Sequence, residues 1–113
     1  MGFLTNKVAM ITGAGRKKGL GAGIARRFAE EGAQVIITDI GTSTKKLLPS
    51  EHIGTLDEMK EVAELISSET NQRVDSVVCD VTSEESVCGA IDKIVTSYQK
   101  IDIVVNNAGV GFI

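Results

Sequence analysis

The stretch that decides the fold is Thr12-Gly13-Ala14-Gly15-Arg16-Lys17-Lys18-Gly19-Leu20-Gly21. It follows a short apolar run at residues 8–11 and leads into residues 24–29, where apolar side chains recur at helical spacing. A strand, a glycine-rich turn and a helix in this order place a phosphate group at the helix N-terminus. Unpaired N–H groups and the helix dipole favour negative charge there, and glycine lets the backbone approach the ligand closely. The stretch therefore predicts a diphosphate site.

Two standard phosphate-binding motifs do not match this turn. The dinucleotide pattern GxGxxG begins at Gly13-x-Gly15 but meets Lys18 where its third glycine belongs. The P-loop pattern requires Gly-Lys-Ser/Thr, whereas Lys18 is followed by Gly19 and Leu20. The turn alone indicates phosphate binding without fixing the class of ligand.

Four apolar strands alternate with three helices along the chain. The strands are predicted at Lys7–Ile11, Gln34–Thr38, Arg73–Cys79 and Asp102–Val105. The first helix is predicted at residues 20–31. The second is predicted at residues 55–68, starting with a capping box at Thr55-Leu56-Asp57-Glu58. The third follows a second capping box at Thr82-Ser83-Glu84-Glu85, and its buried stripe is predicted to be Val87, Ile91, Ile94 and Tyr98. Residues 41–54 are predicted to be a surface excursion. This alternation predicts an α/β fold with a parallel sheet and helices on both faces.

Length and composition agree with one globular domain over residues 1–113. The formal net charge is −3, which disfavours a nucleic-acid surface, and the basic cluster at residues 16–18 is too short to reverse that. No apolar run approaches the ~18 residues of a membrane span, and the N-terminus has no signal-peptide core. We expect a cytoplasmic protein that binds neither nucleic acid nor membrane.

The isolated titratable residues suggest no separate catalytic or metal site. Cys79 and Cys88 stand outside any CxxC or Cys/His cluster and are expected to be reduced, buried side chains. His52 lies in the polar excursion and is expected to be a solvated loop residue. Tyr98 lies on an apolar stripe and is expected to be a packing residue.

Polar side chains end three of the predicted strands. Asp39 ends the second strand 18 residues after Gly21, close to the ~20 expected for an acid that binds the adenosine ribose; its alternative role is a helix or turn cap. Asp80 ends the third strand, where it would accept a hydrogen bond from adenine or, alternatively, cap the next helix. Asn106 and Asn107 end the fourth strand, where their amide groups can tie neighbouring loops together.

These pieces together resemble the short-chain dehydrogenase/reductase family. The residues that carry the resemblance are Lys7-Val8-Ala9-Met10-Ile11-Thr12-Gly13-Ala14-Gly15-Arg16, Gly19-Leu20-Gly21, Asp39, Cys79-Asp80-Val81-Thr82 and Asn106-Asn107-Ala108-Gly109. The family turn reads Thr-Gly-x-x-x-Gly-x-Gly, so Lys17 and Lys18 look like a two-residue insertion. The resemblance implies a Rossmann-type sheet of strand order 3-2-1-4.

The resemblance also implies the cofactor contacts. They fall on Gly13, Gly15, Arg16, Gly19, Leu20, Gly21, Asp39, Asp80, Val81, Asn107, Ala108 and Gly109. An acid at the position of Asp39 is similar to the family's NAD-preferring members, because a carboxylate there would repel the 2′-phosphate of NADP. The alternative cofactor is NADP, with Lys17 or Lys18 meeting that phosphate.

The family's catalytic residues are not found in this sequence. A tyrosine in a Tyr-x-x-x-Lys pair, helped by a serine, transfers the proton in the family, but Tyr98 is followed at the fourth place by Asp102. We therefore expect residues 1–113 to be the N-terminal, NAD-binding part of a longer oxidoreductase acting on an alcohol or carbonyl substrate, incomplete and inactive alone. It would work as a homo-oligomer or with a complementary chain. The alternative is a non-catalytic nucleotide-binding module or a subunit of a heteromer.

Overall fold

Four short parallel strands form one sheet, in a computed structural model that describes residues 2–15, 19–40 and 56–107. The strands are β1 (Val8–Thr12), β2 (Gln34–Asp39), β3 (Val74–Val78) and β4 (Ile103–Val105). The helices are α1 (Leu20–Glu30), α2 (Leu56–Thr70) and α3 (Glu84–Tyr98). The strand order is β3-β2-β1-β4, which confirms the predicted α/β architecture.

The central strands are apolar because both of their faces are covered. One apolar cluster joins Ile11, Val35 and Ile37 to the buried sides of α1 and α2. The other joins Val8, Met10 and Ile36 to α3. Alternate residues of β1 and β2 therefore enter opposite cores, as a parallel sheet covered on both faces requires.

The pairing register brings the carboxyl ends of the strands level. Thr12 pairs with Thr38, and Asp39 with Val78. On the other side of β1, Ile11 pairs with Val105. The residues that follow each strand therefore emerge at one edge, which we call the carboxyl edge, and this is where parallel α/β sheets bind ligands.

The start of α3 differs from the prediction. Its N-cap is Ser83, whose side-chain oxygen accepts a hydrogen bond from the N–H of Ser86 at 3.2 Å. Thr82 precedes this cap, and its N–H and hydroxyl both donate to Asp80. The capping box predicted at Thr55 lies outside the described residues, as do the excursion at 41–54 and His52.

Two predictions of burial on α3 are wrong. Ile91 is 38% exposed, because Ala90 rather than Ile91 completes the buried stripe with Ile94 and Tyr98. Cys88 is also exposed, whereas Cys79 is buried as expected; both thiols are free. Burial is the main reason that the pKa of the Cys79 thiol is raised, and the nearby Asp80 carboxylate raises it further.

Candidate functional site

The glycine turn begins with a residue that must adopt a left-handed conformation. Gly13 has φ of +68°, which side chains disfavour and glycine does not. The next residue, Ala14, is fully buried, and its N–H donates to the carbonyl of Thr38 at 2.9 Å. The turn is thereby fixed to β2 as well as to its own strand.

Asp39 is held directly against this turn. Its Oδ2 accepts a hydrogen bond from the N–H of Gly15 at 3.0 Å, and its Oδ1 accepts one from the N–H of Ile40 at 2.8 Å. A carboxylate offers about four acceptor positions, so capacity remains for the two hydroxyls of a ribose. Asp39 therefore both caps the turn and faces the same edge as the turn, and the two roles stated for it are compatible.

Gly15 fits this arrangement only as glycine. A Cβ on Gly15 would lie 2.5 Å from Cγ of Met59 and 2.8 Å from Cβ of Asp39. These distances are shorter than real side chains tolerate. Met59 is fully buried on α2, and no sequence signal connects it to a turn 44 residues earlier.

The start of α1 is available to an anion. Its N-cap, Gly19, has extended backbone angles and makes no side-chain capping bond, and the first turn contains no acidic residue. Leu20 is 73% exposed beside it. The helix therefore presents its first N–H groups and the positive end of its dipole without a competing carboxylate of its own.

Gly21 has a packing role within the protein. A Cβ there would lie 2.7 Å from Nδ2 of Asn107, 2.8 Å from Cα of Ala14 and 2.9 Å from the carbonyl oxygen of Gly13. The missing side chain lets α1 approach both the turn and the loop after β4. This close approach gives a reason for the glycine in addition to any space that a diphosphate requires.

Asn107 ties the loop after β4 to the turn after β1. Its N–H donates to the hydroxyl of Thr12 at 3.1 Å, and its Nδ2 donates to the carbonyl of Gly13 at 3.2 Å. The Thr12 hydroxyl in turn donates to the carbonyl of Val105 at 3.3 Å. The expectation that an asparagine amide links neighbouring loops is thereby confirmed for Asn107, whereas Asn106 is exposed to solvent.

Asp80 makes a local turn at the end of β3. Its Oδ1 accepts hydrogen bonds from the N–H and the hydroxyl of Thr82, at 2.9 and 2.6 Å. Its own N–H donates to the hydroxyl of Ser86. These bonds close a turn just before α3, whose N-cap is Ser83. Val81, 46% exposed, stands next to Asp80 at the carboxyl edge. Three further predicted contacts, Arg16, Ala108 and Gly109, lie outside the described residues.

Tyr98 lies away from this site, at the end of α3. Its ring is buried under the guanidinium of Arg73, 4.1 Å from the ring centroid, and its hydroxyl donates to Asp75. Burial and the bond to Asp75 raise the pKa of the phenol. Tyr98 packs α3 against β3, as expected.

Among the residues that the structure describes, no group of His, Cys, Asp and Glu is arranged to hold a metal ion. No helix in the described ranges is both long and apolar enough to cross a bilayer.

Comparison with known proteins places this geometry in a family. A family model described as enoyl-(acyl carrier protein) reductase matches residues 13–112. The oxidoreductase UcpA of Escherichia coli K12 is 41% identical over 110 residues, a match that covers 97% of this chain and 35% of that protein. This chain thus spans little more than a third of that relative's length.

Solved structures of oxidoreductases are also similar to this chain. Carveol dehydrogenase from Mycobacterium avium, in complex with NAD, is similar with a TM-score of 0.83 and 35% identity, over 98% of this chain and 38% of that one. A metagenomic short-chain oxidoreductase in complex with NADP gives a TM-score of 0.76 and 28% identity, over 96% and 41%. Taken with the sheet, the turn and the Asn107 link, these matches show that the chain belongs to the short-chain dehydrogenase/reductase family.

Proposed function

We propose that this chain forms the cofactor-binding part of an oxidoreductase that transfers a hydride between a nicotinamide dinucleotide and the carbon of a small alcohol or carbonyl substrate. The observation that carries the proposal is the 3.0 Å hydrogen bond from the N–H of Gly15 to Asp39. It joins the diphosphate-binding turn and the ribose-binding carboxylate in one unit beside the open start of α1.

Each part of the carboxyl edge takes one part of the cofactor. The turn from Gly13 to Gly21, with Gly15, Arg16, Gly19 and Leu20, holds the diphosphate through backbone N–H groups. Asp39 accepts hydrogen bonds from the adenosine ribose, and Asp80 and Val81 border the adenine. Asn107, Ala108 and Gly109 border the second ribose. The nicotinamide supplies the redox chemistry when it is bound, and these residues bind and orient it.

We further propose that the cofactor is NAD rather than NADP. The backbone bonds to both oxygens of Asp39 hold its carboxylate in place. A carboxylate fixed there accepts a hydrogen bond from the 2′-hydroxyl of the adenosine ribose in NAD, and its negative charge repels the 2′-phosphate of NADP. Solved relatives bind either cofactor, so the argument for NAD is drawn from the Asp39 carboxylate and not from those relatives.

Proton transfer requires residues that these 113 do not include. The family's Tyr-x-x-x-Lys pair has no counterpart here. The residue four places after Tyr98 is Asp102 rather than lysine, and the Tyr98 hydroxyl is bonded to Asp75. We propose that residues 1–113 are one domain that binds the cofactor and shows no dehydrogenase activity alone. Sustained NADH production by the purified chain would contradict this.

A cytoplasmic location and self-association complete the proposal. The free thiols of Cys79 and Cys88 suit a reducing compartment. Ile91 and Val95, 38% and 42% exposed on α3, suit contact with a second copy or a complementary chain.

Calorimetric titration of the purified chain with NAD and with NADP tests the function. Wild type should bind NAD more tightly, and Asp39→Ala should weaken NAD binding by about tenfold, the loss expected for a charge-assisted hydrogen bond. Asp92→Ala, which removes an exposed carboxylate from the middle of α3, controls for the change in net charge and should change neither affinity. Tighter NADP binding by wild type, or unchanged NAD binding by Asp39→Ala, would refute the proposed role of Asp39.

A further inference from the structure

Met59 lies on the buried face of α2. It is fully inaccessible, yet among the described residues it belongs to neither of the two apolar clusters that flank the sheet. The next buried residues on the same face of α2, Val62 and Ile66, both belong to the cluster shared with α1. Met59 therefore packs against something other than the main core.

Met59 contacts the glycine turn. The position of a Cβ on Gly15 would be only 2.5 Å from Cγ of Met59, so the Gly15 backbone and the Met59 side chain are in contact. The same position would be 2.9 Å from Oδ2 of Asp39, the atom that accepts the Gly15 N–H. The Met59 side chain and the Asp39 carboxylate thus lie next to each other around the place where a Cβ of Gly15 would be.

This contact has a direct consequence for the carboxylate. The hydrogen bond from Gly15 fixes Oδ2, and it survives only while the Gly15 peptide stays close to Asp39. Removing the Met59 side chain would leave a void beside a glycine, the residue with the fewest restraints on its own backbone. The peptide could then move toward the void and release the carboxylate.

We propose that Met59 is a positioning residue for the ribose site: its side chain packs against Gly15 beside Asp39, and so holds in place the Gly15 N–H that orients the carboxylate distinguishing NAD from NADP. The inference rests on the proposed function, because it concerns the same site, and it adds α2 to the elements that determine cofactor choice. Met59 acts through Asp39 and does not itself touch the cofactor.

A double-mutant cycle between Met59 and Asp39 tests this coupling, with NAD and NADP affinity measured by calorimetry on the 113-residue chain. Met59→Ala should weaken NAD binding by about tenfold, or roughly 1.4 kcal/mol, and should narrow the ratio between NAD and NADP affinity. In the Asp39→Ala background, Met59→Ala should cost nothing further, to within a factor of about two. A residue with a merely structural role would instead weaken binding equally in both backgrounds.

The control is Ile66→Ala, seven residues along the same face of α2. Ile66 is 1% exposed and packs in the main core, so its truncation should destabilise the fold at least as much as Met59→Ala. It should nevertheless leave the ratio of NAD to NADP affinity unchanged. If Met59→Ala and Ile66→Ala narrowed the ratio of NAD to NADP affinity equally, the proposal would be overturned.

Two conservative variants keep the test decisive even if Met59→Ala does not fold. Met59→Leu and Met59→Cys both retain a heavy atom at the γ position that meets Gly15, so both should keep NAD affinity to within about threefold, or roughly 0.7 kcal/mol. A tenfold loss in either would overturn the proposal. If the effects of Met59→Ala and Asp39→Ala on NAD affinity simply add, while Asp39→Ala still weakens NAD binding, the role of Met59 is refuted and the proposed function stands. If wild type does not bind NAD at all, the proposed function is refuted as well.

Discussion

Three of the four glycines of the turn are required for different physical reasons. Gly13 needs a positive φ, Gly15 needs the space between Met59 and Asp39, and Gly21 needs contact with Asn107. A single motif in the sequence therefore stands for three separate steric constraints. Only the first of them, a sharp turn after a strand, can be inferred from the sequence without knowing which residues lie opposite.

Gly21→Ala should destabilise the fold. Its Cβ would meet the Asn107 amide and the backbone of Ala14 and Gly13 at distances below 3.0 Å. The added methyl must displace α1 or break the Asn107 bond, at a cost of about 1–3 kcal/mol. Urea denaturation of wild type and variant measures the difference in free energy of unfolding.

Gly23→Ala is the matched control, two residues along the same helix. A Cβ on Gly23 meets no atom within 4 Å, and the residue is exposed. Alanine should therefore stabilise the chain by about 0.5–1 kcal/mol, since glycine is the poorer helix residue. The account of the turn would be wrong if both substitutions changed stability in the same direction.

Asp39 and Asp80 show how far single residues can be interpreted from sequence. Both end an apolar strand, which predicts a place for each at the cofactor edge of the sheet, and Asp39 also has the spacing from Gly21 expected of a ribose-binding acid. The structure shows Asp39 bonded to the distant Gly15 and Asp80 bonded to the nearby Thr82. Sequence position predicted the edge of the sheet correctly, but it could not show which partner each carboxylate would find.

At the scale of elements, the alternation of strands and helices was predictable because each element carries its own periodicity. Most predicted boundaries lie within one or two residues of those observed. The errors occurred where tertiary contacts decide the outcome. Threonine and serine both occur at N-caps, so Thr82 and Ser83 are both candidates in sequence, and the structure has Ser83 as the cap.

The junction of β1 and β4 should make the fold sensitive to acid. Oδ2 of Asp102 accepts a bond from the N–H of Val8 at 2.8 Å, and Lys100 lies 3.1 Å from the same oxygen. The Val8 bond first, and then Lys100, hold the pKa of Asp102 below its ordinary value. A carboxyl whose pKa is lowered on folding stabilises the fold above its ordinary pKa and loses that contribution as the pH falls through the lowered value.

Asp102→Asn checks this directly. The amide oxygen can still accept the Val8 bond, but it carries no charge and does not titrate. Wild type should be the more stable protein at pH 7. The difference in free energy of unfolding should shrink as the pH falls below the ordinary aspartate pKa and disappear below the lowered pKa of Asp102. Stability curves that stay parallel from pH 7 to pH 2 would contradict the role given to Asp102.

At the scale of the whole molecule, the fold gathers residues that are far apart in sequence at one edge of the sheet. Gly15 meets Asp39 over 24 residues, and Gly13 meets Asn107 over 94. The parallel topology makes this assembly predictable, because every strand ends at the same edge. The contact of α2 with the turn was not predictable, since it depends on how a helix packs rather than on where a strand ends.

The central claim is that a dinucleotide binds at the carboxyl edge of this sheet, and amide chemical shifts measured during NAD titration test it most directly. The amide signals of Gly13, Gly15, Gly21 and Asp39 should shift on addition of NAD. Those of Asn6, Gly32 and Asn71, in the connections at the opposite edge, should stay in place. Shifts confined to that opposite edge, or no shifts at millimolar NAD, would contradict the claim.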